Sequence, residues 1–150
     1  ITWSLVGSEM CIRDSHHSRS LQAKGMLYLK ECDYDNAIDL FNRANESNRK
    51  AVPFYETMLL FCYLGKNDWL SANQSVDRSM RENDHSRYHA FKAVVLAHEG
   101  KIEESKEWLK KYQENRPEIK TIEDYEKVIP ELNQQIKDTL LDGMRKAGLK

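Results

Sequence analysis

Proline and glycine are scarce in this chain, with only 3 prolines and 6 glycines in 150 residues. Because these residues terminate helices and form turns, their scarcity favours long helices over many short strands. Cysteine is also scarce, with 3 residues and no CxxC pair. This spacing predicts neither a disulfide framework nor a zinc site, and it is compatible with a reducing compartment. We expect the cytoplasm rather than the periplasm.

Strong net charge and long apolar runs are absent as well. The formal net charge of −1 argues against binding to nucleic acid or to an anionic membrane through bulk charge. No apolar run approaches the roughly 18 residues that span a bilayer. The residues that are present, 40% hydrophobic and 31% charged, suffice for one domain with a core and a well-solvated surface.

Sequence motifs of catalysis and cofactor binding are missing. The chain has no GxxxxGKS, GxxxxGKT or GxGxxG phosphate loop and no GxSxG nucleophile elbow. The zinc motif HExxH is absent, because the His98-Glu99 pair lacks the second histidine. His85 and His89 would share a helix face, but a zinc site needs further ligands. We therefore expect no catalytic residue, no cofactor and no metal, and an enzyme or metal protein is the least favoured alternative.

A helical pattern recurs with a period near 34 residues. Three small residues mark it, Ala37, Ala72 and Ser105, spaced by 35 and 33 residues. Each has a large apolar residue three positions before it and another four positions after it. These are Tyr34, Trp69 and Ile102 before, and Phe41, Val76 and Leu109 after. A small residue allows two helices to cross closely. Because one such unit cannot bury its apolar face alone, the units are expected to stack.

The pattern resembles the tetratricopeptide repeat (TPR), in which about 34 residues form two helices. The resemblance covers residues 18–117, with units at about 18–50, 53–84 and 86–117. It implies an all-α, TPR-type helical-hairpin solenoid of about three repeats plus C-terminal capping helices within 121–148. It also implies a non-catalytic protein–protein interaction or scaffold module. In the first turn Cys32 stands where this family commonly has glycine.

Capping signals predict several helix ends. Asp33 or Asp35 is expected to cap the second helix. Thr121 begins a segment that resembles a capping box, and Pro130 is expected to begin the last helix. Gly148 is expected to end that helix as a left-handed cap. We predict that this last helix closes the open end of the array.

Both ends of the chain carry narrower resemblances. Residues 4–15, SLVGSEMCIRDS, resemble a translated sequencing adapter, so residues 1–17 are predicted to be an artefactual or disordered tail and residues 18–150 the repeat domain. Residues 141–149, LDGMRKAGL, look like the end of bacterial proteins in which TPRs follow a class III adenylate or guanylate cyclase domain, or a winged-helix DNA-binding domain. The second resemblance implies the C-terminal fragment of a larger bacterial signalling or regulatory protein.

Residues 58–64, MLLFCYL, form the most apolar run of the chain. Leucine and methionine dominate the run, which favours a helix over a buried strand. A helix that is apolar all round must be covered all round. Two interpretations follow: either this is the central helix of a small domain, or one side of it is an apolar groove floor for a peptide or partner domain.

The resemblance places a partner-binding groove on the first helices of the units. Its predicted floor is apolar, and its predicted edges are polar. The candidate residues are Met26, Leu29, Lys30, Phe54, Phe61, Leu64, Arg87, Val94 and His98.

A carboxylate clamp is not expected in this groove. TPRs that grip a C-terminal carboxylate use lysine and asparagine where this chain has Gln22 and Met26. An apolar groove suits an amphipathic helix, a neighbouring domain of the same chain or a second copy better than an acidic tail. The alternative is a structural spacer without a groove ligand.

Overall fold

The computed structural model describes residues 17–150, and within them the secondary structure is helical without any strand. The adapter-like residues 4–15, and all of the predicted tail except residue 17, lie outside the described residues. A 3₁₀ turn at Arg49–Ala51 joins the second helix to the third. The helices are α1 (17–30), α2 (Tyr34–Ser47), α3 (Val52–Gly65), α4 (Trp69–Glu82), α5 (Ser86–His98), α6 (Ile102–Asn115), α7 (Ile122–Glu126) and α8 (Gln134–Ala147).

The first six helices form three successive hairpins. α3 packs against α4, and α5 against α6, while α2 packs against α3 and α4 against α5. This is the stacking order of a helical solenoid, in which each unit covers the apolar face of the next. The all-α, TPR-type solenoid predicted from the sequence is therefore confirmed.

The three repeating small residues lie in the core. Ala37, Ala72 and Ser105 are all completely buried. The Ser105 hydroxyl donates a hydrogen bond to the carbonyl oxygen of Ala93 at 2.6 Å, which ties α6 directly to the backbone of α5. A small side chain at this position therefore permits close contact between the two helices.

The turn inside each hairpin has the same backbone geometry. Cys32, Asn67 and Gly100 occupy equivalent positions and have φ values of 61°, 58° and 84°. In all three turns, the amide of the following residue donates a 2.9 Å bond to a carbonyl oxygen five residues earlier. The cysteine thus adopts the left-handed conformation that glycine provides in the third turn, at the steric cost of a β-carbon.

We expect Cys32→Gly to raise the free energy of unfolding by about 0.5–1 kcal/mol, because relief of left-handed strain exceeds the added flexibility of the unfolded chain. Asn67→Gly should give a smaller gain, since asparagine tolerates this conformation better. Urea denaturation measures both changes. Gly100→Ala is the matched control and should be less stable than wild type. A Cys32→Gly variant less stable than wild type would contradict the strain at this turn.

The segment after α6 contains the predicted capping box. Thr121 Oγ1 accepts a hydrogen bond from the Asp124 amide at 3.2 Å, and the Asp124 carboxylate accepts one from the Thr121 amide at 3.0 Å. The Asp124 carboxylate also accepts a hydrogen bond from the Lys120 amide at 3.0 Å, and the bonds from the Lys120 and Thr121 amides lower its pKa. Gly148 ends α8 with φ 106°, also as predicted.

The predicted start of the last helix is wrong by four residues. α8 begins at Gln134, and Pro130 lies in the preceding non-helical segment. The reason is a better cap, since Asn133 Oδ1 accepts a hydrogen bond from the Ile136 amide at 2.8 Å. Asparagine is among the strongest N-cap residues.

Helix α8 does more than close the end of the array. It packs chiefly on α5 and also contacts α3, α6 and α7. The side-chain amide of Asn133 donates a hydrogen bond to the carbonyl oxygen of Leu29 in α1 at 2.6 Å. The Tyr34 hydroxyl in α2 donates one to Gln135 Oε1, also at 2.6 Å. The helix therefore runs across the face formed by α1, α3 and α5, from the first hairpin to the third. We call this the first-helix face.

The apolar run of α3 is buried from almost every direction. From Tyr55 to Gly65, every residue except Tyr63 is buried. The covering helices are α2, α4 and α8. This supports the interpretation of residues 58–64 as the central helix of a small domain.

Candidate functional site

Helix α8 occupies the part of the first-helix face where the sequence predicted a free groove. A β-carbon on Gly143 would lie 2.5 Å from Val94 Cγ1 and 3.1 Å from His98 Nε2, so α8 and α5 touch where glycine leaves space. His98 Nε2 lies 2.9 Å from the carbonyl oxygen of Thr139, and Lys146 Nζ lies 3.3 Å from His98 Nδ1. Val94 and His98 therefore contact the chain's own last helix.

The His98 ring is held as a neutral group. It stacks on the Trp69 ring with centroids 4.3 Å apart and planes inclined by 6°. Burial lowers its pKa, and Lys146 acts in the same direction, whereas the Thr139 carbonyl and Asp142 oppose them. A neutral ring with the proton on Nε2 donates to Thr139 and accepts from Lys146 at Nδ1, so both contacts are satisfied.

Of the seven other predicted groove residues, three come together at a second surface and four do not. Leu29 and Leu64 have no exposed surface. Met26 is half-buried against the core, and the exposed Lys30 borders a polar cleft at the start of α8. The remaining three, Phe54, Phe61 and Arg87, come together at a second surface, where they line an open apolar cavity.

This cavity, the apolar pocket, lies between the N-terminal halves of α3 and α5, the end of α6 and residues 125–130. Its volume is about 610 Å³, within the usual size range of ligand pockets. Phe61 and Phe91 line it and form an edge-to-face pair with ring centroids 5.3 Å apart. Phe54 and Val128 line it too and are 39% and 43% exposed. Large exposed apolar side chains beside a concave surface are typical of an interaction site.

The charged side chains that line the apolar pocket are all cations: Lys50, Arg87 and Arg116. Arg116 pairs with Glu118, which lowers the pKa of that carboxyl group. Lys50 and Arg87 form no salt bridge with an acidic side chain anywhere in residues 17–150. The pocket therefore combines an apolar interior with a positively charged rim.

Tyr125 also lines the apolar pocket and is only 2% exposed. Its hydroxyl is buried without a hydrogen-bond partner in the described part of the chain. Burial raises its pKa, so the group is a neutral donor at all ordinary pH values. Leaving a buried hydroxyl unpaired costs about 1–3 kcal/mol.

Several residues of this site were missed in the sequence, namely Lys50, Arg116, Tyr125 and Val128. The available signal was the spacing of Ile122 and Tyr125, which indicates that this segment buries a face. That spacing carries no information about the helices against which the face packs.

Residues 17–150 contain neither a metal-binding cluster nor a membrane-spanning helix. Within residues 17–150, no group of three or more His, Cys, Asp and Glu side chains is placed to hold a metal ion. In the same range, no helix is both long enough and apolar enough to cross a membrane.

The fold and site define the class of protein: a helical-repeat solenoid with a concave, apolar surface. A family model identifies the repeat, since the tetratricopeptide repeat matches residues 18–51, the hairpin of α1 and α2 with the turn that follows. No curated protein matches the chain. TPRs generally mediate protein–protein interaction or scaffolding, and they bind proteins or peptides.

Proposed function

We propose that this chain is a non-catalytic interaction module that docks a segment of a partner protein in the apolar pocket. The observation that carries the proposal is an open cavity of about 610 Å³ with the exposed side chains of Phe54 and Val128 on its lining. Buried aromatic contacts at the centre of an interface usually supply most of the binding energy. Helix α3 holds Phe54 on a rigid element, and Val128 lies in the turn just after α7.

The nine predicted groove residues take two roles in this proposal. Phe54, Phe61 and Arg87 contact the partner, because they line the pocket. The other six support the site from the covered part of the first-helix face or beside it. Val94 and His98 do so by seating α8.

Phe54→Glu tests the proposal, because it places a charge in the pocket without disturbing the core. Phe54 lies in the first turn of α3, where an acidic residue also favours the helix. A photo-crosslinking side chain at position 128 captures the partner, which is identified by mass spectrometry and then purified for calorimetry. We expect Phe54→Glu to weaken binding of that partner at least about tenfold, the effect of losing one interface anchor.

Leu70→Glu is the matched control, since Leu70 is 70% exposed on α4 and does not line the pocket. This variant should bind the partner as wild type does. Equal binding by wild type and Phe54→Glu, with both folded by circular dichroism, would show that the pocket is not the docking site. That result would favour the structural-spacer alternative, which the occupation of the first-helix face by α8 also fits.

The proposed setting is a larger bacterial signalling or regulatory protein, supported by the resemblance of residues 141–149 to the ends of such proteins. In that setting the partner is another protein, a neighbouring domain of the same chain or a second copy, and this region binds no nucleic acid. Sequencing the gene upstream of residue 16 tests the setting. A cyclase or winged-helix domain there would support it, whereas an unrelated domain would contradict it.

A further inference from the structure

We infer that the apolar pocket takes an acidic amphipathic peptide segment of a partner protein. Large apolar side chains of the segment fill the cavity, and its carboxylates pair with Lys50 and Arg87. The inference rests on the proposed function and adds the chemistry of the partner. It departs from the sequence interpretation, in which an apolar groove was expected to disfavour acidic ligands.

The rim of the apolar pocket carries two cations that have no acidic partner among residues 17–150. Lys50 and Arg87 are exposed on the pocket lining and form no salt bridge with acidic side chains among residues 17–150. The Arg87 guanidinium lies 5.1 Å above the centre of the Tyr88 ring, and its Nη2 is 3.3 Å from the Tyr88 hydroxyl. These contacts hold the guanidinium in place, which reduces the entropy lost when it binds a carboxylate.

The helix ends around the pocket add to this charge. α3 and α5 both begin at the pocket, and neither has an acidic residue in its first turn. The first turns of α4 and α8 also lack one, whereas those of α2, α6 and α7 each have at least one. The first turn of a helix carries partial positive charge and ordinarily disfavours a cation such as Arg87. An anionic ligand would neutralise both the helix ends and this side chain.

The interior of the pocket is apolar and matches the apolar side chains of the proposed peptide. Phe61 and Phe91 form an aromatic floor, and Phe54 and Val128 are exposed beside them. An amphipathic peptide matches both the interior and the rim, because its large apolar side chains can cover this lining while its carboxylates reach the cations of the rim. Because Phe54 and Val128 are exposed on the lining, the cavity is open to solvent.

The experiment selects peptides from a displayed library of random sequences against the wild-type chain, with counter-selection on Phe54→Glu. We expect the selected peptides to combine aromatic or leucine residues with neighbouring Asp and Glu at frequencies well above the unselected library. Fluorescence anisotropy of one selected peptide then measures affinity. Binding should weaken as salt is added, because exposed ion pairs are screened.

A double variant, Lys50→Gln with Arg87→Gln, should bind the selected peptide about three- to tenfold more weakly than wild type, as expected for two exposed ion pairs. The control variant, Lys24→Gln with Lys110→Gln, removes the same charge from α1 and α6 and should bind as wild type does. Both lysines are exposed and outside the pocket lining.

The alternative outcomes separate this inference from the proposed function. Peptides that require Phe54 but contain no excess of Asp or Glu would overturn the acidic partner and leave the docking site intact. A selection that yields no Phe54-dependent peptide would overturn both. If dodecanoate binds in a Phe54-dependent manner while no peptide does, the pocket holds a small anionic amphiphile, and the peptide assignment is wrong.

Discussion

Gly143→Leu is expected to lower the free energy of unfolding by about 3 kcal/mol, the upper part of the usual range for overpacking a tight contact. Even a β-carbon at this position would lie 2.5 Å from Val94 Cγ1 and 3.0 Å from Val94 Cβ. Val94 is completely buried and cannot move aside without displacing its neighbours in α5. A leucine therefore forces α8 away from α5.

The displacement of α8 should also be visible locally. Ile136, Leu140 and Met144 have at most 1% exposure and would lose their packing. Urea denaturation measures the loss of stability. Relative to wild type, amide hydrogen exchange should accelerate more in α8 than in α3 or α4. Arg145→Leu is the control, because Arg145 is exposed on the same helix and its replacement should change stability little. A Gly143→Leu variant as stable as wild type would contradict the close contact of α8 with α5.

The position of α8 could not be predicted from the sequence, although its amphipathic character could. The stripe of Ile136, Leu140, Leu141 and Met144 indicates that one face is buried. It does not distinguish the open end of the array from the first-helix face, because both are apolar. The contact depends on Gly143 meeting Val94, a pair separated by 49 residues. A glycine is disfavoured inside a helix, but its presence does not show which helix packs against it.

The hairpins were predictable for the opposite reason, since their information is local. Tyr34, Trp69 and Ile102 were aligned from spacing alone, and each is the first residue of a second helix. Such alignment depends on the helical period and on turns of fixed length, which the sequence displays directly. The left-handed conformation of Cys32 could not be predicted from spacing, because cysteine disfavours that conformation.

The candidate site was predictable only in part. Phe54, Phe61 and Arg87 were found because they sit on first helices, where a TPR groove is expected. The side of the pocket that contains Arg116 and Tyr125 was missed. These residues follow α6, and only the tertiary fold brings them next to α3 and α5. Sequence patterns therefore located one wall of the pocket, and the tertiary fold supplied the other.

Gly65→Ala should be the other strongly destabilising substitution, costing about 1–3 kcal/mol or more. A β-carbon at Gly65 would lie 2.2 Å from Cζ of Tyr34 and within 2.7 Å of two further ring carbons. The ring cannot turn away freely, because its hydroxyl donates to Gln135 at 2.6 Å and lies 3.3 Å from Asn133 Nδ2. Any shift at Tyr34 therefore disturbs the start of α8.

Gly65→Ala isolates the clash with the Tyr34 ring, because its other effects are expected to stabilise the variant. Gly65 ends α3 and its φ is not positive, so alanine fits the backbone there and would stabilise an ordinary helix by up to about 1 kcal/mol. A measured loss in urea denaturation therefore reports the clash with Tyr34 alone. In a Tyr34→Leu background the loss from Gly65→Ala should become markedly smaller, a coupling that a double-mutant cycle measures. Equal losses in both backgrounds would show that the ring of Tyr34 does not fill this space, and that α2, α3 and the start of α8 are joined by other contacts.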